Sequence, residues 1–238
     1  VGKNLIQQAR GKGGPRYKAP SFNYKGEARF GNYNDQAIKG NIINLIHCRG
    51  HDAPLAEIQY DGGQKILIPA PVGIRVGEEV ESGSGANIKS GNVLPLKDVP
   101  EGTLVYNLEL QPGDGGKLVR SCGGFAKVES KTKNMVVVVL PSSKKKQFNE
   151  KCRACVGVIA GAGKSEKPFV KAGNKYYAKK SKNKLWPSVS GTSQNAVDHP
   201  FGGSSSGIKG RPTQSSRNSP PGRKVGKIAP RRTGRKKR

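Results

Sequence analysis

Acidic residues are scarce in this 238-residue sequence: 16 Asp and Glu stand against 43 Lys and Arg, a formal net charge of +27. A compact chain of that charge repels itself unless a polyanion neutralises it, which puts nucleic acid first among its partners. Apolar residues are also few, 33% of the chain beside 33 Gly and 16 Pro, so a large share of it is expected to lie outside any core. No apolar run approaches the ~18 residues that span a bilayer; the longest is the VVVVL block at 136–140. The opening residues hold no signal-peptide core either, so the sequence reads as a soluble cytoplasmic protein with no membrane partner. Four cysteines are too few for a disulfide-built scaffold.

The charge sits at the ends. Residues 1–32 carry seven Lys and Arg and one acid, net +6, and interleave Tyr17, Phe22, Tyr24 and Phe30 with Gly, Pro and basic residues, which reads as an extended arm. Residues 33–170 carry 18 basic and 14 acidic side chains, net +4, and hold nearly all the apolar alternation. Residues 171–238 carry 18 basic side chains against the single acid Asp198, net +17. A short run such as KKK at 144–146 reads as a solvated face, but 68 residues with one acid do not. Such a tail has too little apolar surface to offset about 1–2 kcal/mol of backbone entropy per residue, and is expected to order only on a partner.

Between the ends come short apolar runs punctuated by turn residues: INLI (43–46), LAEIQY (55–60), KILIPA (65–70) and TLVYNLEL (103–110). After QPGDGG (111–116) follow KLVRSCGGFAKVES, NMVVVVLPS (134–142) and CRACVGVIA (152–160). QYDGGQK at 59–65 predicts a β-hairpin, because Asp-Gly-Gly supplies positive-φ positions between two alternating runs. No stretch sustains a 3.6-residue apolar period with caps at both ends, so helix is expected to be minor, single turns near VGEEV (76–80) or KDVPEG (97–102). The fold class is mostly β. Strands at this spacing suit small barrels or sandwiches, two of about 70 residues each, with an oligonucleotide-binding fold a natural first barrel.

Several motifs suggest chemistry. GVIAGAGKS (157–165) resembles a phosphate-binding loop, but the pattern requires glycine where Val158 stands, and EKPF puts proline where the helix would run. CRAC has half of a zinc site's spacing; further ligands would have to come from Cys48, Cys122, His47 or His51, and no second close pair exists. Strand alternation sends Cys152 and Cys155 to opposite faces, which reads as one buried small residue and one partly exposed thiol. No metal or cofactor is expected. In IHCRGHDAP (46–54), His47 and His51 sit near a turn, where a histidine can simply bond phosphate or backbone. Trp186, the sole tryptophan, either stacks on a base or ribose or plugs a barrel end. His199, within AVDHPFGG (196–203), is open to reading as catalytic base, metal ligand or fixed contact to a partner.

The combination resembles one family closely, the universal large-subunit ribosomal protein two family, over essentially the whole chain. The main carrier is SGTSQNAVDHPFGGSSSGIKGRP (190–212), with its Val-Asp-His-Pro, Gly-Gly and basic Gly-rich tail. GNVLPLKDVPEGTLVYNLELQPGDGGKLVRSCG (91–123), KCRACVGVIAG (151–161) and VKAGNKYYAKKSKNKLWPSVSG (170–191) match in order and spacing. RGKGGPRYKAPSFNYKGEARF and KIAPRRTGRKKR look like the archaeal or eukaryotic branch, and the short tail favours the archaeal. Ala196 stands where the bacterial pattern has proline, and Phe201 with serines 204–206 replaces its His-Gly-Gly-rich loop.

The resemblance implies a non-enzymatic constituent of the large ribosomal subunit. Its architecture would be a basic arm at 1–32, an oligonucleotide-binding-type barrel at 33–110, an SH3-like barrel at 111–175 and a basic tail at 176–238. Its partners would be large-subunit ribosomal RNA, neighbouring ribosomal proteins, the small subunit and tRNA, near the peptidyl-transferase region. The residues expected at ribosomal RNA are Arg10, Lys12, Arg16, Tyr17, Lys18 and Arg29 from the first arm. From the second come Lys171, Lys175, Lys179, Lys180, Lys182, Lys184, Trp186, Asp198, His199, Gly202, Gly203, Lys209, Arg211, Arg217, Arg223 and Lys224. In AVDHPFGG, Asp198 is expected to orient His199, and the glycines to let backbone approach RNA. No catalytic residue is assigned; His199 as a general base would have to stand within about 3 Å of the reacting amine, or one water away. Two other classes compete: a nucleotide-dependent RNA enzyme using GAGKS, and a generic polyanion-condensing protein.

Overall fold

A computed structural model of the chain describes residues 3–32, 36–203 and 213–231. The alternating runs of the middle become strands: β1 (Ile38–Ile46), β2 (Leu55–Tyr60), β3 (Lys65–Pro69), β4 (Glu79–Ser82), β5 (Val93–Pro95) and β6 (Leu104–Tyr106). They continue as β7 (Ala126–Thr132), β8 (Met135–Val139), β9 (Lys145–Asn149) and β10 (Arg153–Val156). Among the described residues helix is confined to α1 (Ile6–Gly11), α2 (Ala172–Ser181) and short 3-10 turns, so the fold is mostly β. VGEEV and KDVPEG are not helical; each is crossed by isolated turn bonds, Glu78 N–H to the Arg75 carbonyl and Val99 N–H to the Leu96 carbonyl. Among the described residues no helix is long and apolar enough to cross a membrane. The chain divides into two compact units: Pro20–Val170, here called the β unit, and an end unit of Val1–Ala19 with Lys171–Arg238.

In the β unit the ten strands run in the order β3-β2-β1-β4-β5-β10-β6-β7-β8-β9. The predicted hairpin joins β2 to β3, with Gly62 and Gly63 at φ 98° and 82° and the Tyr60 N–H on the Gln64 carbonyl. Pairing is antiparallel except for the single parallel step from β4 to β5 at Ser82 and Val93.

Two large apolar clusters and a small third one of Ala28, Cys48 and Leu55 build the core, and the central strands β5, β10 and β6 feed both large ones. Leu94, Val105 and Ala154 enter one cluster, with Val128, Val138 and Phe148. Their neighbours Val93, Tyr106 and Cys155 enter the other, with Ile42, Ile58 and Ile68. The two-residue period of a strand sends adjacent side chains to opposite faces, so a strand covered on both sides is apolar throughout. The same geometry corrects the expectation for CRAC. Cys152 and Cys155 do take opposite faces, but both are fully buried, one in each cluster. Burial pushes the Cys152 thiol up to about 11, helped by the nearby Glu109 charge, and pushes Cys155 up to about 12. Among the described residues no group of three or more His, Cys, Asp or Glu is placed to hold a metal ion.

One ion pair lies inside this core. Arg153, 4% exposed at its side chain, meets the fully buried Glu109 at 2.8 Å. Glu109 also accepts the N–H groups of Gly113, Gly115 and Arg153. Arg153 in turn donates to the carbonyls of Gly31 and Asn32 and lies 5.2 Å from the Phe30 ring centroid. One charged pair thus fixes three segments of the β unit: the chain entering at 30–32, the loop at 109–115 and the central strand β10. Removing one partner of a buried pair strands the other charge, at about 3–5 kcal/mol. Arg153→Met is therefore expected to destabilise the β unit by about 3–5 kcal/mol, read as a fall in the urea midpoint; an unchanged midpoint contradicts this account.

Candidate nucleic-acid interface

The end unit gathers the excess charge. Residues 1–19 and 171–238 hold 23 Lys and Arg against one acid, Asp198, while 20–170 hold 20 against 15. At +22 against +5, the end unit presents the stronger attraction to a polyanion.

Ala and Lys, good helix formers, make up half of helix α2, and no residue of it is buried. Asn183 stops it. At a left-handed φ of 50°, its N–H reaches the Lys180 carbonyl at 3.0 Å, while that of Lys184 reaches the Lys179 carbonyl at 2.9 Å. These are the paired closing bonds of a helix with Asn just past its end. Lys179 and Lys180 occupy the last turn, where the helix dipole favours cations.

The Asn183 amide then donates to the carbonyls of Pro15 (2.7 Å) and Lys18 (2.6 Å), fixing the 3-10 turn Pro15–Tyr17 beside the helix end. Here lies a cavity of about 280 Å3, lined by Arg16, Tyr176, Lys179, Lys180, Asn183, Lys184, Leu185 and Trp186. Residues 176, 179 and 180 share one helical face by their spacing, and Asn183 follows just past the helix end. Lys175 stands 5.8 Å from the Trp186 ring centroid and Lys180 5.8 Å from that of Tyr176. Asn183 was not among the residues expected at this site; its place as the stop of KYYAKKSKN was the available signal.

AVDHPFGG folds on itself. The N–H groups of Asp198 and His199 both reach the Asn195 carbonyl, and that of Gly202 reaches the His199 carbonyl. Phe201 N–H donates to His199 Nδ1 at 3.0 Å, so the neutral ring carries its proton on Nε2. The ring packs against Gly191, where a Cβ would stand 2.3 Å from its Cε1. The expected orientation of His199 by Asp198 is thus replaced. The one acid of the end unit pairs with Lys3 at 2.6 Å, and the backbone of Phe201 sets the imidazole. Gly202 also differs from expectation: a Cβ there would lie 2.3 Å from the Asn195 carbonyl oxygen, so the close approach it permits is to the chain's own backbone.

A sequence model of the family described as Ribosomal Proteins L2, C-terminal domain, matches residues 89–224. The large ribosomal subunit protein uL2 of Methanococcus vannielii is 48% identical over 240 residues, 99% of this chain and 100% of that protein. The uL2 proteins of Methanococcus maripaludis and Methanothermobacter thermautotrophicus are 49% and 47% identical over 99% and 100% of this chain, each along its full length. The chain belongs to the uL2 family. These relatives place it in the archaeal branch.

The remaining residues can now be placed within this uL2-family chain. Arg10 lies in the last turn of α1, Lys12 follows the helix, and Tyr17 and Lys18 stand at the 3-10 turn beside Arg16. Lys171 precedes α2 and Lys182 follows it. Two short strands, β11 (Gln214–Ser215) and β12 (Lys227–Ile228), pair in parallel. The buried Ser215 hydroxyl ties them to the intervening loop, 2.6 Å from the Val225 carbonyl oxygen and 3.0 Å from that of Arg223. Phe201 packs over Gly226, so the AVDHPFGG turn and this strand pair are one assembly. Arg217 is exposed and Lys224 half-buried there; Gly203 holds φ 106°. The tail therefore carries secondary structure of its own, which the lack of apolar periodicity concealed. Arg29 is the exception to the grouping, lying in the β unit paired with Glu27 at 2.7 Å. Lys209 and Arg211 lie outside the described residues.

GAGKS forms a 3-10 turn, Ala162–Lys164, whose Lys164 amine binds the Asp52 carboxylate at 3.0 Å and the Asp52 carbonyl at 3.1 Å. No α-helix opens behind it to receive a phosphate, and its lysine is engaged. His51 Nδ1 sits 3.2 Å from the Sγ of the buried Cys48, and His47 is exposed. Gly202→Ala is expected to open the AVDHPFGG turn, read as a shift of the His199 imidazole resonances and faster proteolysis near residue 200. The urea midpoint of the β unit should stay in place; unchanged His199 resonances would remove Gly202's assigned part.

Proposed function

We propose that this chain is a non-catalytic constituent of the large ribosomal subunit in the cytoplasm and binds large-subunit ribosomal RNA through its end unit. The observation that carries this reading is the pairing of a +22 end unit with about 48% identity to archaeal uL2 proteins along the whole chain. Phosphate neutralisation by Lys and Arg supplies affinity that falls steeply with salt, while aromatic rings and close backbone approach supply a preference for particular RNA shapes.

We read residues 33–110 as an oligonucleotide-binding-type barrel and residues 111–175 as an SH3-like barrel. In support, β1–β3 and β7–β9 are successive antiparallel meanders at opposite ends of the sheet order, each with its own cluster. The family likeness extends the reading to neighbouring ribosomal proteins, to a contact with the small subunit and to tRNA near the peptidyl-transferase region. There His199 is a positioning residue: its Nδ1 already accepts the Phe201 N–H.

Ultraviolet crosslinking of the chain to total cellular RNA, with a stringent salt wash before sequencing, tests the reading. One discrete set of large-subunit RNA sites is expected, joined chiefly to peptides from 3–19 and 171–203. Scattered RNA and DNA fragments would reduce the chain to a generic polyanion binder.

A further inference from the structure

We propose that the cavity at the end of α2 receives an unpaired nucleobase of single-stranded RNA, stacked on Trp186 and Tyr176, with the flanking phosphates held by Arg16, Lys179 and Lys184. The proposal rests on the RNA-binding reading above and adds to it what kind of RNA element this site takes.

Size is the first argument. At about 280 Å3 the cavity lies just below the roughly 300–1,000 Å3 of sites for drug-sized ligands, room for one flat ring system rather than a whole nucleotide cofactor. Its wall is the second. The indole of Trp186, the phenol of Tyr176 and the side chain of Leu185 provide planar and apolar surface, ringed by four cationic side chains and no acid. A cationic ligand is repelled there, and a bare phosphate has no use for the rings. An aromatic ligand carrying negative charge on either side satisfies both features. Accessibility is the third: Tyr176 and Leu185 are 44% and 47% exposed, so the apolar part of the wall is open to a ligand. In a duplex the bases are stacked on one another and closed to such a wall, whereas loops, bulges and single strands can offer them. The hydrogen bonds of Asn183 to Pro15 and Lys18 hold the walls together before RNA arrives.

Trp186 is the chain's only tryptophan, so its fluorescence reports on this site alone. The full chain is titrated with single-stranded RNA oligonucleotides, with duplex RNA and with inorganic polyphosphate, and binding is followed in parallel by filter retention. Single-stranded RNA is expected to quench Trp186 several-fold more than duplex RNA or polyphosphate at equal saturation. Trp186→Ala is expected to weaken single-stranded RNA binding by about 5- to 100-fold and leave polyphosphate binding unchanged, with Trp186→Phe recovering most of the loss. Equal quenching by polyphosphate, or equal loss for both ligands in Trp186→Ala, would overturn the proposal in favour of a phosphate groove. Retention of large-subunit RNA with a silent Trp186 would remove the base site while sparing the RNA-binding reading. Failure to retain that RNA at all would remove both.

Discussion

An excess of 27 positive side chains cannot be folded into one core without a counter-charge. The architecture follows from that constraint. The β unit keeps its basic and acidic residues nearly balanced, 20 against 15, and can close two apolar clusters around its central strands. The end unit keeps 23 basic residues with one acid, and its described residues bury almost nothing apolar beyond Phe201. What holds the end unit is instead local and polar: the closing bonds of α2 at Asn183, the Ser215 hydroxyl between β11 and β12, and the folded AVDHPFGG turn.

Arg153 and Glu109 show how charge enters the core only under strict conditions. Each nitrogen of the Arg153 guanidinium meets either Glu109 or a backbone carbonyl, and Glu109 also gathers three backbone N–H groups. The pair thereby converts a desolvation cost into a junction of three chain segments. The end unit has no such closed pair. Its sole acid meets Lys3 near the surface, leaving its cationic side chains suited to phosphate.

Much of the β unit was legible because strand alternation is a two-residue signal. LAEIQY and KILIPA became β2 and β3, and the Asp-Gly-Gly turn joined them. Less of TLVYNLEL became strand, because Asn107 leaves the ladder at a φ of 50°. The second thiol of CRAC was misread as partly exposed, since alternation gives the face of a residue and not whether that face is covered. In the end unit the residue types of the site were legible from charge and aromatic content, but their grouping was not. α2 has no apolar stripe, and its boundary is set by one left-handed Asn whose side chain reaches back some 165 residues in sequence to Lys18. Contacts so distant in sequence leave no periodic trace.

Labour is divided between a β unit with its own core and an end unit proposed to be completed by RNA. Hydrogen exchange on the full chain, free and bound to large-subunit ribosomal RNA, tests this division most directly. The account predicts that the largest gain in protection falls at 3–19 and 171–203, while the central strands β5, β6 and β10 are already protected without RNA. Gains concentrated in those central strands, with none at the two ends, would contradict it.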